Sequence, residues 1–90
     1  MGIMSCNNKK IIFSDHAKQR ALERLHTKYN NFCLLFESEL KTIFSKARKT
    51  QFLNEGESQY EYNDKNMKIT FICKENHHEI LIKTILTKKI

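Results

Sequence analysis

The chain has 90 residues and a mass of 10.7 kDa, which suffices for one domain and leaves no length for a second core. Its 16 Lys and Arg residues exceed its 10 Asp and Glu residues, so the net charge is +6. A hydrophobic content of 40% favours a globular fold over disorder, and no apolar run is long enough to cross a bilayer. The polar N-terminus also lacks the apolar stretch of a signal peptide. We therefore expect one cytoplasmic domain over residues 1–90, with residues 1–9 as a flexible arm.

The cysteines and histidines give no metal-binding pattern. Cys6, Cys33 and Cys73 are widely spaced and form no C-x-x-C pair, which is typical of reduced, mostly buried thiols. His77 and His78 are adjacent, so on a strand or turn they point to opposite sides and miss the usual zinc-ligand spacing. We expect neither a metal site nor a cofactor.

The positive charge is concentrated in the first half of the chain. Residues 1–50 include ten basic and four acidic residues, whereas residues 51–90 include six of each. A cationic half favours a polyanionic partner, most simply the phosphate backbone of a nucleic acid. The alternative is a solvated surface that only keeps the protein in solution.

Two helices are predicted after a short β-prone segment at residues 10–13. Ser14 or Asp15 can cap the first helix, which a run of helix-forming residues predicts over 16–27. Its core face consists of small and apolar residues at four-residue spacing: Ala17, Ala21 and Leu25. The second helix is predicted over 32–48, after a cap at Asn30 or Asn31. Its apolar face repeats at three- and four-residue steps: Phe32, Phe36, Leu40, Ile43, Phe44 and Ala47.

After residue 50 the apolar period changes to two, which predicts strands at about residues 51–53, 59–62, 67–74 and 79–87. Gly56 and the polar segments between the strands supply the turns. Because these connections are short, we expect a four-stranded antiparallel sheet with the helices on one face. The predicted fold class is α+β, with a short N-terminal strand, two helices and then this sheet.

One face of the first predicted helix concentrates candidate chemistry. His16, Arg20 and Arg24 recur at four-residue spacing and form one column, each about 40° around the helix from the last. An imidazole can move a proton near neutral pH, and guanidinium groups bind phosphate in a bidentate manner. The helix N-terminus disfavours the charged form of His16 and so keeps it available as a base. The alternative is an ordinary polar face whose arginines pair with Glu23 or with strand acids.

The run F-S-D-H-A-K-Q-R-A-L-E-R at residues 13–24 resembles the H-A-x-x-R-x-x-x-R opening of the domain of unknown function 4258 family. The apolar segment I-L-I-K-T-I-L at residues 80–86 is similar to the final strand of that family, which contains a Thr. The family is similar in layout to RelE-type toxins and to barnase-, EndoU- and colicin-like ribonucleases. The resemblance implies a toxin-type protein with an acidic antitoxin as partner. The family's Ile-Ser step before the second helix is absent here, where residues 25–30 lengthen the link.

These patterns together predict a small basic protein that acts as a metal-independent endoribonuclease. RNA supplies its own nucleophile, the 2′-hydroxyl, so the protein must remove a proton, protonate the leaving oxygen and stabilise the phosphate. We expect His16 to act as base or orienter and Arg20 and Arg24 to clamp the phosphate. Thr84 completes this predicted catalytic set from the last strand, although it is equally consistent with a buried strand residue.

Four more residues are candidate RNA or phosphate ligands: Lys18, Lys83, His78 and Tyr60. His78 could protonate the leaving oxygen and Tyr60 could stack on a base, although a turn histidine is more often only exposed and a strand aromatic is usually core. The alternative function is a non-catalytic RNA- or protein-binding module, for example a phage-encoded inhibitor. The sequence contains no acidic metal cluster or P-loop, so metal-assisted nuclease chemistry is not expected.

Overall fold

The computed structural model describes residues 9–25, 28–52 and 56–89. Their element order is a strand, two helices and four strands, and it confirms the predicted α+β class. In chain order these are β1 (Lys10–Phe13), α1 (Asp15–Arg24), α2 (Leu34–Lys46), β2 (Arg48–Phe52), β3 (Glu57–Asp64), β4 (Met67–Glu75) and β5 (Glu79–Lys89). The arm predicted over residues 1–9 lies outside the described residues except for Lys9.

The sheet has five strands rather than the four antiparallel strands predicted, because β1 joins it as an edge strand. The strand order is β1-β5-β4-β3-β2, and β1 runs parallel to β5 while the other neighbours are antiparallel. The chain between β1 and β5 includes both helices and is long enough to return in the same direction, so the two strands can pair in parallel, which a tight turn does not allow. The backbone groups of the short β1 are thereby satisfied along the β5 edge.

α1 begins at the Ser14 cap, whose side chain accepts a hydrogen bond from the Ala17 N–H at 3.1 Å. The helix ends at Arg24, earlier than predicted, where Leu25 takes an extended conformation with φ −97° and ψ 112°. Ala17 and Ala21 are fully buried, so α1 packs closely on the sheet through its small-residue face. This packing fixes which side chains of α1 remain on the surface.

α2 begins two residues later than predicted and has Cys33 as its cap, without a side-chain hydrogen bond, instead of Asn30 or Asn31. Its predicted apolar face is confirmed, since Phe36, Leu40 and Phe44 are buried against the sheet. The helix spans 13 residues, and within the described ranges no helix is long and apolar enough to cross a membrane.

A bulge in β5 changes which face of the sheet its residues occupy. Ile82 pairs with Cys73 and Thr84 pairs with Ile72, so Lys83 is an extra residue with no partner on β4. Ile82 and Ile85 are both fully buried under the helices. Lys83 and Thr84 therefore lie on the opposite face of the sheet.

Candidate nucleic-acid interface

The predicted column on α1 is present at the surface of the helix. His16 is exposed in the first turn, while Arg20 and Arg24 are partly buried, one and two turns further along. The buried Ala17 and Ala21 hold this helix so close to β5 that the column runs beside the edge of the sheet. We call these three residues the α1 column.

Arg20 forms an ion pair within α1, since its Nη1 lies 2.6 Å from Oε1 of Glu23. The hydrogen bond from Arg20, followed by one from Gln19, lowers the pKa of the Glu23 carboxyl. This is the pairing that the sequence offered as the alternative to a phosphate clamp. Both side chains are substantially exposed, so the pair is weak enough to exchange for a phosphate.

Arg24 joins α1 to the edge of the sheet. Its Nη1 donates a hydrogen bond to the backbone oxygen of Ile85 at 3.2 Å. β1 pairs with β5 only as far as Ile82, so Ile85 lies on a stretch of edge that β1 does not cover. Arg24 therefore satisfies a carbonyl on a stretch of β5 that β1 does not cover, and it also lines a cavity.

That cavity, of about 560 Å³, brings together cations from three separate elements. Four of its lining residues are cationic and one, Asp64, is acidic. The cations come from the end of α1, the β3–β4 turn and the end of β5: Arg24, Lys65, Lys88 and Lys89. None of the three lysines forms an ion pair with a described residue, whereas five other lysines of the described chain do. We call this group the basic cavity.

Lys83 and Thr84 lie apart from the α1 column, because the bulge turns them to the other face of the sheet. The Lys83 ammonium pairs there with the Glu57 carboxylate and lowers its pKa. Only the backbone of Lys83 reaches α1, since its carbonyl accepts a hydrogen bond from the Ser14 hydroxyl at 3.0 Å. The structure therefore does not bring these two predicted ligands to His16.

The other three predicted ligands are also separated from the column. The Lys18 ammonium lies 5.5 Å above the ring of Phe32, on another side of α1. His78 is exposed before β5, and the full length of β1 lies between it and α1. The Tyr60 ring packs against the core, with its centroid 4.7 Å from that of Phe44, and the Lys49 ammonium lies 5.5 Å from its centroid.

A second group of polar side chains, which no sequence pattern indicated, lies around Glu75 near the end of β4. Two ammonium groups contact its carboxylate, Lys9 at 3.3 Å and Lys49 at 2.9 Å, and the Tyr60 hydroxyl donates to it at 3.0 Å. The buried Ser58 side chain also hydrogen-bonds to it. We call these five residues the Glu75 cluster.

The Glu75 cluster has the properties of a structural clamp. Burial by itself raises the pKa of Glu75, but the hydrogen bonds from its four partners outweigh burial and lower the pKa to about 2. Burial, and then the bond to Glu75, raises the pKa of Tyr60. A carboxylate held charged by so many donors is a poor proton acceptor at neutral pH. Its function is to hold the strands that carry its partners.

Sequence reasoning missed the three lysines of the basic cavity because they belong to the half of the chain with no net charge. The available signal was the run Lys88-Lys89 at the end of a strand and Lys65 in a predicted turn. Within residues 9–25, 28–52 and 56–89, no three His, Cys, Asp or Glu side chains come together as metal ligands. The chemistry that these residues can provide is therefore the binding of an anion by the cations of the basic cavity.

Comparisons with protein-family models, with curated proteins and with solved structures found no match for this chain.

Proposed function

We propose that this protein binds RNA through one continuous cationic surface, formed by the α1 column and the basic cavity. The observation that carries the proposal is the meeting of Arg24, the last residue of the column, with Lys65, Lys88 and Lys89 around one cavity. The three lysines of the cavity form no ion pair with a described residue, so a polyanion can approach them without breaking such a pair. The column extends this surface along α1 by about 6 Å per helical step of four residues.

RNA is the polyanion that this surface fits best. The basic cavity is a recess between a helix end, a turn and a strand end, with its cations around a concave surface. Single-stranded segments can follow a short, curved line of cations and insert their bases into adjacent recesses. The resemblance of residues 13–24 to the domain of unknown function 4258 family supports the same class of ligand.

The test is binding of a labelled single-stranded RNA as a function of salt concentration. Replacement of Lys65, Lys88 and Lys89 by Ala should weaken binding and lower the slope of log K against log salt by about two, since each phosphate contact on a single strand contributes about 0.7. A matched control removes three exposed lysines elsewhere, Lys10, Lys46 and Lys74, and reaches the same net charge. If both triple variants bind equally, net charge alone explains the affinity and the proposed surface is wrong.

Metal-independent cleavage of the bound RNA is a second candidate function. The observation that favours it is the exposed imidazole of His16, one turn from Arg20 at the end of the cationic surface. In this proposal His16 accepts the proton of a ribose 2′-hydroxyl and the resulting oxygen attacks the neighbouring phosphorus. A 2′,3′-cyclic phosphate forms, and the departing 5′-oxygen takes a proton from the imidazolium or from water.

Cleavage is tested with RNA in the presence of a chelator, followed by mass analysis of the products. Expected products carry a 2′,3′-cyclic phosphate, and a single 2′-deoxy substitution should block cleavage at that position. His16→Gln should abolish cleavage and leave RNA affinity within about twofold, because the amide keeps a hydrogen-bonding side chain of similar size and leaves the cations of the surface in place. Cleavage that persists in a combined His16→Ala and Arg20→Ala variant contradicts this role of the column, whereas binding without any cleavage leaves the RNA-binding proposal standing alone.

An acidic protein, such as an antitoxin, is the partner that would regulate such an activity. It would compete with RNA for the basic cavity, because the same unpaired lysines attract carboxylates as well as phosphates. Competition is measured by adding the product of a neighbouring acidic reading frame to the preformed RNA complex. Simultaneous binding of both ligands would place the partner on another surface.

A further inference from the structure

The basic cavity adjoins a second cavity of different chemistry. The second cavity, of about 450 Å³, lies between the end of α1, the face of α2 and the start of β4. Asp64 and Met67 line both cavities, so the two are neighbours, and we call them together the groove. We call the second one the apolar cavity, because its floor is made of Phe36, Leu40, Met67 and Ile69.

The apolar cavity has a rigid aromatic wall. The Tyr29 ring stacks on Phe36 with centroids 5.4 Å apart and planes 25° apart. Its hydroxyl donates to Glu39 at 2.6 Å, and this bond, more than burial, raises the pKa of Tyr29 to about 12. The exposed Lys28 ammonium lies over the same ring, 5.5 Å from its centroid. An aromatic ring that holds a flexible surface cation can also stack with a planar group that displaces the cation.

The boundary between the cavities carries a polar group suited to reading a base. Asp64 is exposed, and its carboxylate has no ion pair with any described residue. A carboxylate accepts hydrogen bonds from an exocyclic amino group, as Asp and Glu do from the amino group of cytosine, and it repels a carbonyl oxygen at that position. A carboxylate in this place would favour cytosine over uracil.

We propose that this groove is the binding site of a single unpaired nucleotide of RNA that carries an amino-bearing base. The phosphate occupies the basic cavity, the base replaces Lys28 over the Tyr29 ring, and its amino group donates to Asp64. The groove combines four cations for one end of a nucleotide with an apolar, aromatic recess for the other. The assignment rests on the proposed RNA binding and adds the subsite and its base preference.

The experiment is an amide NMR titration of the whole protein with four probes: inorganic phosphate, cytidine, cytidine 5′-monophosphate and uridine 5′-monophosphate. Phosphate should shift amides around Asn66 and Thr87, and cytidine should shift those around Tyr29 and Ile69. Cytidine monophosphate should shift both groups and bind at least about tenfold more tightly than phosphate, which reflects the added stacking. Its affinity should also be at least about five times that of uridine 5′-monophosphate.

Two variants separate the halves of the site. Asp64→Asn should bring the cytidine-to-uridine ratio of affinities close to one, a readout that the changed charge alone does not move. Tyr29→Ala should weaken the nucleotide but not inorganic phosphate, and Tyr29→Phe should keep nearly full affinity because the ring remains. If Tyr29→Ala unfolds, the combined Lys88→Glu and Lys89→Glu variant, on exposed positions, should abolish the phosphate shifts and leave cytidine monophosphate binding no more tightly than cytidine, whose shifts remain.

The outcomes for the groove and for RNA binding are distinguishable. Nucleotide affinity equal to that of phosphate, or shifts outside the groove, overturns the subsite even if long RNA still binds. Conversely, the protein could bind the nucleotide with the expected base preference and show no affinity for long RNA. That result would uphold the groove as a nucleotide site and overturn the proposed function.

Discussion

The ammonium of Lys49 on β2 lies 2.9 Å from the carboxylate of Glu75 on β4, although β3 separates the two strands. Lys9, next to β1 at the other edge of the sheet, reaches the same carboxylate at 3.3 Å. Long lysine side chains from both edges of the sheet therefore converge on one central strand. The Glu75 cluster joins these segments next to the core, where Tyr60 packs against Phe44 of α2.

The first prediction concerns the acid stability of the protein. The pKa of Glu75 is about 2 in the folded protein, below its ordinary value, so the charged carboxylate favours folding. This contribution, on the order of 3 kcal/mol at most, is complete above about pH 4.5 and is lost as the pH falls towards 2. Glu75→Gln should thus be less stable than the native chain at pH 6, with a difference that narrows at pH 3.

Urea unfolding monitored by circular dichroism gives the free energy of unfolding of the native chain and of Glu75→Gln at each pH. The control is Glu79→Gln, which removes the same charge from a side chain that has no ion pair with a described residue. A difference that stays constant from pH 6 to pH 3 in Glu75→Gln would mean that the cluster does not stabilise the charged carboxylate.

The second prediction concerns the start of α1. The Ser14 hydroxyl both accepts from the Ala17 N–H and donates to the Lys83 carbonyl, so it joins the helix to the bulge of β5. Ser14→Ala should lower the free energy of unfolding by about 1–2 kcal/mol, whereas Ser14→Thr keeps both bonds and most of the stability. Thermal unfolding distinguishes them, and equal melting temperatures for the Ala and Thr variants would contradict the two-bond arrangement.

The third prediction separates stability from RNA binding at Lys65. This residue has φ of 51°, a left-handed conformation that a side chain disfavours and that glycine adopts readily. Lys65→Gly should be more stable than Lys65→Ala by about 0.5–1 kcal/mol, while both lose the same charge from the basic cavity. The two variants should bind RNA equally weakly, as measured by fluorescence anisotropy. Unequal affinities would show that the backbone of this turn, rather than the lysine charge, determines binding.

The fourth prediction concerns thiol reactivity. Cys73 is fully buried, and burial, more than the nearby Glu75, raises the pKa of its thiol to about 12. It should resist alkylation at pH 8 in the native protein, because the thiolate is the reactive form. The partly exposed Cys33 should react, and peptide mapping by mass spectrometry assigns the label to each residue. Rapid native labelling of Cys73 would show that the sheet opens near the Glu75 cluster.

Local patterns in the sequence were sufficient for the element order and much of the core. The Ser14 cap, the buried face of α2 and the alternation of Ile69, Phe71 and Cys73 in β4 each depend on residues within a few positions of one another. The column on α1 followed from helical spacing alone. The bulge in β5 also had a local signal, since the buried apolar residues change from a two-residue to a three-residue step between Ile82 and Ile85.

The tertiary structure alone decided how distant segments meet. No period in the sequence indicates that β1 pairs with β5, that Lys9 and Lys49 converge on Glu75, or that Arg24 joins three lysines of the neutral half around one cavity. These contacts depend on strand order and the direction in which each element ends. These residues are far apart in the sequence, so local patterns do not specify which of them meet. The packing of the core sets the strand order and therefore determines where the charges of this protein are brought together.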